Sequence, residues 1–233
     1  MAIITTVTDE PTGAYVDSLP ILLPKVGVAG AGYRWAARTL TAADGTAVTS
    51  WPASNGTLLT SASTTVAPVV ATSSVGAVKC LSFDGVNDLM SLAAITGQRS
   101  VSIVMRVTAT NGTNTGVMSD TADDISVVRN GSNNWGVFAP GTGAAAGGTE
   151  TSGAWHQVSF KLSATAVSIY IDGTFVATGT SNGGSLTSLK LGYGGGVFGK
   201  FEVAEIIAWP TELIGADFAA VQTELRKVYT TLP

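Results

Sequence analysis

Short runs of alternating apolar and polar side chains dominate this chain, and they are clearest between Trp155 and Thr180. Val158, Phe160 and Leu162 alternate with Gln157, Ser159 and Lys161, the period of a half-buried strand. Val167, Ile169 and Ile171 repeat the pattern after a short turn around Ser163–Thr165. Asp172-Gly173 then supplies the positive φ angles of a tight type I′ hairpin, and Thr174–Thr178 returns. The segment predicts three antiparallel strands in succession. From Tyr33 onward further short strands are punctuated by turn clusters at Asp44-Gly45, Asn55-Gly56, Asn111-Gly112, Asn130-Gly131, Gly141–Gly148 and Gly194–Gly196. Strands at this spacing, without long helices between them, predict an all-β, two-sheet antiparallel sandwich or jelly roll.

Two regions depart from alternation. Phe218, Val221, Leu225 and Val228 fall on one face of Ala216–Tyr229 at helical spacing, with Asp217 in the first turn and Arg226 and Lys227 in the last, as the helix dipole favours. This predicts one C-terminal helix packed as a lid on the sandwich. Residues 1–28 carry a short β-like piece, Ile3–Thr8, and then Pro11, Pro20 and Pro24, spaced too closely for regular structure. They read as an extended N-terminal arm preceding a domain over residues 29–233.

Composition narrows the function classes. The chain has 233 residues, enough for a full core, and 45% of them are hydrophobic. Only 12% are charged, about half the usual share of roughly 25%. Two readings fit: outer faces tiled with Thr and Ser, or a surface covered by other protein copies, since interface cores are depleted in charge. A net charge of −4 and the lack of any Lys/Arg run exclude the basic footprint that nucleic acid or an anionic membrane needs. The opening MAIITTVTDEPTG has no basic start and no sufficient apolar run, so it does not read as a signal peptide. The single Cys80 allows no internal disulfide and reads as a small buried side chain.

Three segments, taken in order, resemble the laminin-G-like group of the concanavalin A-like lectin/glucanase superfamily. They are Asp44–Asn55 (DGTAVTSWPASN) with Leu81–Leu92 (LSFDGVNDLMSL); the meander with Trp155-His156 at its head and Tyr170-Ile171-Asp172-Gly173 at its turn; and Leu189–Gly192 leading into Gly199–Trp209 (GKFEVAEIIAW) and the helix. The resemblance spans residues 29–230 and implies two antiparallel sheets face to face, one concave and one convex. In the second segment, Asp84-Gly85-Val86-Asn87-Asp88 forms a loop whose side chains can bond their own backbone.

Little chemistry is legible. Hydrolytic relatives in that superfamily place carboxylates in a strand of the type Glu-x-Asp-x-x-Glu, which glycoside hydrolysis needs for its acid and nucleophile. Here Glu202-Val203-Ala204-Glu205 lacks the central Asp, and strict alternation puts Glu202 and Glu205 on opposite faces, so the chain is expected not to be an enzyme. His156, the one histidine, reads as structural. No cofactor is called for. Calcium, bound by rim oxygens, is the ion the resemblance brings with it; Asp120, Asp123 and Asp124 form the densest acidic cluster, although a solvated loop is the simpler reading. Asn133-Asn134-Trp135 is the best constellation for a glycan, an aromatic ring flanked by amides, set against the plainer reading of a hairpin turn followed by an inward Trp. Trp35, Trp51, Trp155 and Trp209 read as core.

Proteins resembling this one, with a laminin-G-like domain and a short leader, belong to tailed-bacteriophage particles. The leading expectation is therefore a virion surface component, a capsid decoration or tail protein, that contacts other virion proteins and copies of itself through the arm. The alternative is an adhesion module that recognises a cell-surface polysaccharide.

Overall fold

The computed structural model describes residues 32–73, 78–95, 97, 99–109, 114–122, 126–138, 144–149, 153–181, 184–213, 215–229 and 232. The predicted arm over residues 1–28, and Asp123 and Asp124, lie outside the described residues. In chain order the strands are β1 (Tyr33–Ala36), β2 (Ser50–Pro52), β3 (Leu58–Thr60), β4 (Val69–Thr72), β5 (Lys79–Asp84), β6 (Met90–Leu92), β7 (Ser100–Ala109), β8 (Thr115–Ser119) and β9 (Ser126–Arg129). They continue as β10 (Asn134–Phe138), β11 (Ala144–Thr149), β12 (His156–Leu162), β13 (Ala166–Ile171), β14 (Thr174–Thr180), β15 (Leu189–Leu191), β16 (Tyr193–Gly194), β17 (Val197–Phe198) and β18 (Lys200–Trp209), and the helix α1 (Gly215–Val228) follows.

The first sheet runs β14-β13-β12-β7-β18-β5-β4, with β1 pairing the second half of β18. The second runs β11-β10-β9-β8-β15-β6-β3-β2, and every pairing is antiparallel. Side chains from both inner faces build the main core, which includes Trp35, Trp51, Phe83, Trp135, Phe160 and Phe201. This is the two-sheet sandwich with one C-terminal helix that alternation predicts. The meander closes as expected: Asp172 and Gly173 take φ values of 52° and 80°, the I′ turn that joins β13 to β14. The loop after β5 also matches expectation. Asp84 Oδ1 accepts the backbone N–H of Val86, Asn87 and Asp88, and Asp88 Oδ2 accepts that of Asp84. Among the described residues, no helix is long and apolar enough to cross a membrane.

A second apolar cluster lies on the outer face of the first sheet. Phe218, Val221, Leu225 and Tyr229 pack there on Cys80, Val104, Trp155, Ala204, Ile207 and Trp209. The helix is thus the lid that its apolar stripe predicts.

Strand β18 departs from its sequence pattern. Val203 faces Met105 and Glu205 faces Val104 across the β7 ladder, so Ala204 is an extra residue, a β-bulge. Beyond a bulge every side chain changes face. Phe201, Val203, Ile206 and Ala208 point into the main core, while Ala204 and Ile207 join the helix-covered cluster. Glu202 and Glu205 therefore share the outer face, where strict alternation had put them on opposite sides.

Each Glu has its own cations. Glu202 Oε2 accepts Arg106 Nε at 2.7 Å and lies 3.6 Å from Cys80 Sγ. Glu205 is fully buried and accepts three donors: Arg34 Nε at 2.5 Å, Arg38 Nη1 at 2.5 Å and Tyr229 Oη at 2.6 Å. Burial works against the Arg38 charge, yet Glu205 and the Tyr229 oxygen outweigh it and hold its pKa above the ordinary value. Burial, reinforced by the Glu205 charge, pushes the Tyr229 phenol well above its ordinary range, so it stays a donor. Replacing Glu205 with Ala leaves two largely buried guanidinium groups without their counter-charge. We expect Glu205→Ala to cost about 3 kcal/mol or more, measured by urea unfolding, whereas Lys227→Ala, which breaks the exposed pair with Glu224, should change stability by less than about 1 kcal/mol.

Candidate functional site

The strongest surface feature is a shelf on the outer face of the first sheet, between the helix and the edge strand β14. A two-residue I′ turn forces Ile171 opposite Thr174 and Tyr170 opposite Phe175. Phe175 is 55% exposed and meets the Tyr170 ring edge-on, with centroids 5.6 Å apart. On the other side Tyr170 packs on Phe218 of α1 at 4.6 Å. Lys161 from β12 sets its ammonium 5.0 Å from the Tyr170 ring centre and 4.9 Å from that of Phe218, a cation–π position over both.

A second bulge completes the shelf. Ile169 faces Ala177 while Tyr170 faces Phe175, which makes Val176 the extra residue. Phe175 and Thr178, three residues apart, consequently share the outer face. Thr178 pairs with Ser168, their hydroxyls 3.4 Å apart, and Ser168 in turn faces Lys161 across the ladder. The surface so formed has an exposed ring, a half-buried ring, two hydroxyls and a cation. Chemically, such a surface stacks CH groups on the ring faces and bonds hydroxyls at the margin. The other large exposed apolar residues among those described, Leu58, Val86 and Phe138, stand outside any such aromatic grouping.

The residues singled out from sequence lie elsewhere. Asn130 Oδ1 accepts the N–H of Ser132 and of Asn134, closing the hairpin turn, and Asn133 sits exposed at its tip with φ 60°. Asn134 begins β10 and Trp135 is wholly buried, its ring edge-on to His156 at 6.3 Å. The turn thus points Trp135 inward, and Asn133, Asn134 and Trp135 do not come together as an exposed platform. Asp120 follows β8 and is buried. Among the described residues no group of three or more His, Cys, Asp or Glu could hold a metal. His156 Nδ1 lies 2.8 Å from Asp172 Oδ2, whose partner oxygen accepts the Gln157 N–H, so this pair fastens the start of β12 to the hairpin turn.

Trp35, Trp51, Trp155 and Trp209 are core, as read from sequence. Tyr170 and Phe175 were missed as a site, although a signal existed: once Asp172-Gly173 is taken as an I′ turn, the hairpin register pairs them.

No family model matches the chain, and no curated protein matches it in sequence. In fold it is similar to a Trypanosoma rangeli sialidase, with a TM-score of 0.63 at 11% identity over 85% of this chain and 33% of the sialidase. A mutant of that sialidase displaying trans-sialidase activity gives 0.59 at 9% identity, over 86% of this chain and 33% of the other. The binding domain of botulinum neurotoxin DC in complex with rat synaptotagmin II gives 0.51 at 11% identity, over 77% of this chain and 52% of that one. The chain therefore spans about a third of the sialidase chains and about half of the toxin chain. At these identities the likeness is one of fold alone, a two-sheet antiparallel β-sandwich.

These similarities overturn the expectation that the chain is not an enzyme. The same sandwich forms part of sialidase chains, which are enzymes. One of the two structural premises falls as well, because the Ala204 bulge puts Glu202 and Glu205 on one face, while the central Asp is still missing from Glu202-Val203-Ala204-Glu205.

Cys80 is buried against this Glu202. Burial first, and then the Glu202 charge, push its thiol far above the ordinary range. At pH 8, where an ordinary thiol is partly thiolate, a disulfide reagent such as DTNB should leave native Cys80 unlabelled and react fully once the protein is unfolded in urea. Rapid labelling of the native protein would contradict this placement.

Proposed function

We propose that this chain is a glycan-recognising sandwich module borne on the surface of a bacteriophage particle. The observation that carries the recognition is the exposed Tyr170–Phe175 pair, set beside the Ser168 and Thr178 hydroxyls. A half-exposed aromatic on an edge strand gains nothing from water, but a sugar ring offers it CH groups to stack on and hydroxyls for the flanking oxygens. The likeness of fold to chains that carry sialidase activity agrees with a carbohydrate partner. On this reading a cell-surface polysaccharide is bound. Phe175→Ala should weaken binding to whichever glycans the wild type retains on a polysaccharide array by about tenfold, with the thermal midpoint little changed. An array on which the wild type binds nothing, or one on which Phe175→Ala binds equally well, would remove the shelf from consideration.

The phage setting is supported by the ordered resemblance to laminin-G-like domains, by the low charge and by the Pro-punctuated arm. On this reading the arm serves assembly, laying strands or apolar contacts on a neighbouring subunit or another virion protein. Deleting residues 1–28 should leave a folded, monomeric sandwich that no longer joins its particle or oligomer. Undiminished incorporation of the truncated chain would refute the role of the arm.

A further inference from the structure

Resting on the glycan reading of the shelf, we propose that its ligand is an acidic saccharide, one whose carboxylate or sulfate group pairs with Lys161. The cation is built into the wall of the shelf. Lys161 stands between the Tyr170 and Phe218 rings, which hold its ammonium at 5.0 and 4.9 Å from their centres. Among the described residues no carboxylate lies within ion-pair distance of it. Four other cations do have acids: Arg34 and Arg38 share Glu205, Arg106 holds Glu202, and Lys227 reaches Glu224. What marks Lys161 is its place, beside the Tyr170–Phe175 shelf and with no described acid to neutralise it.

The surroundings agree. Phe218, Gln222 and Arg226 follow one another at intervals of four along α1, on the stripe that borders the meander. Phe218 meets Tyr170, Gln222 Nε2 donates to Ser159 Oγ, and the Arg226 guanidinium reaches the Gly173 turn, within about 4 Å of where a side chain there would begin. Arg226 is exposed and has no ion-pair partner among the described residues. The shelf is thus bounded by Lys161 on its inner side and by Arg226 toward the hairpin turn. Stacking on Phe175 and Tyr170 places a pyranose ring, and Lys161 then selects one that carries an anion.

A comparable grouping on the separate two-stranded β16–β17 sheet lacks these features. Tyr193 and Phe198 of the β16–β17 hairpin meet at 5.2 Å with Lys190 beside them, but both rings are half-buried and the Lys190 ammonium already donates to the Thr121 carbonyl at 2.8 Å.

The test is an array on which each acidic polysaccharide is printed beside its own carboxyl-reduced or desulfated form, probed with the full chain, Lys161→Gln and Lys161→Arg. The expected result is binding to acidic polymers that falls about tenfold or more when the polymer is neutralised. Lys161→Gln should lose the same factor on the acidic form and nothing on the neutral one, and Lys161→Arg should restore most of it. Equal binding to acidic and neutral forms overturns the acidic ligand while leaving glycan recognition standing. Binding to no polymer of either kind overturns the glycan reading, and this inference with it. Should Lys161→Gln fail to fold, the paired polymers decide the question with the wild type alone.

Discussion

The carboxylate of Glu205 ties β1 and the end of α1 to the first sheet. It is fully buried, and its two oxygens gather Arg34 from β1, Arg38 from the turn that follows, and Tyr229 from the end of α1. One side chain in the middle of β18 therefore fastens the first described strand and the last turn of the helix to the same point of the sheet. Burying a carboxylate is costly unless charge and hydrogen bonds compensate it. Three donors, two of them cationic, supply that compensation. The helix so anchored lays Phe218 against Tyr170, and this contact gives the exposed shelf its wall.

The arrangement is made possible by single extra residues. Ala204 in β18 turns Glu205 outward, and Val176 in β14 brings Phe175 and Thr178 onto one face. Without the first, Glu205 would enter the main core, where no cation awaits it. Without the second, the aromatic and the hydroxyl would look in opposite directions. Bulges of this kind re-aim side chains while the rest of the ladder persists. Close backbone approach plays a similar part on the second sheet. The β16–β17 hairpin lies so near β8 that any side chain at Gly116 would meet the backbone of Gly194 and Val197.

How much of this was legible depended on whether a feature is local. The meander, the I′ turn, the helix with its buried stripe and the self-bonded Asp84–Asp88 loop each follow from residues close in sequence, and each is where the pattern puts it. The bulges are not local. Whether Ala204 is an extra residue depends on how β7 pairs with β18, across about a hundred positions of chain, and alternation alone assigns the wrong face to Glu205. The amide-flanked Trp135 fits the chemistry of a sugar platform, but its neighbours in the core decide its direction, and it points inward. In sequence Phe175 is a lone Phe in a strand, the pattern of a core residue. The register of its hairpin puts it on the outer face, where it is 55% exposed and no described element covers it.

The claim that matters most for function is that a saccharide lies on the Tyr170–Phe175 shelf. An NMR titration of the full chain with an oligosaccharide cut from the best-bound polysaccharide addresses it directly. Resonances of Lys161, Ser168, Tyr170, Phe175 and Thr178 should shift together and saturate with one affinity, while those of Tyr193 and Phe198 in the separate β16–β17 hairpin stay in place. Shifts confined to the Tyr193–Phe198 hairpin, or to the Asn130–Asn134 turn, with the shelf unmoved, would contradict it.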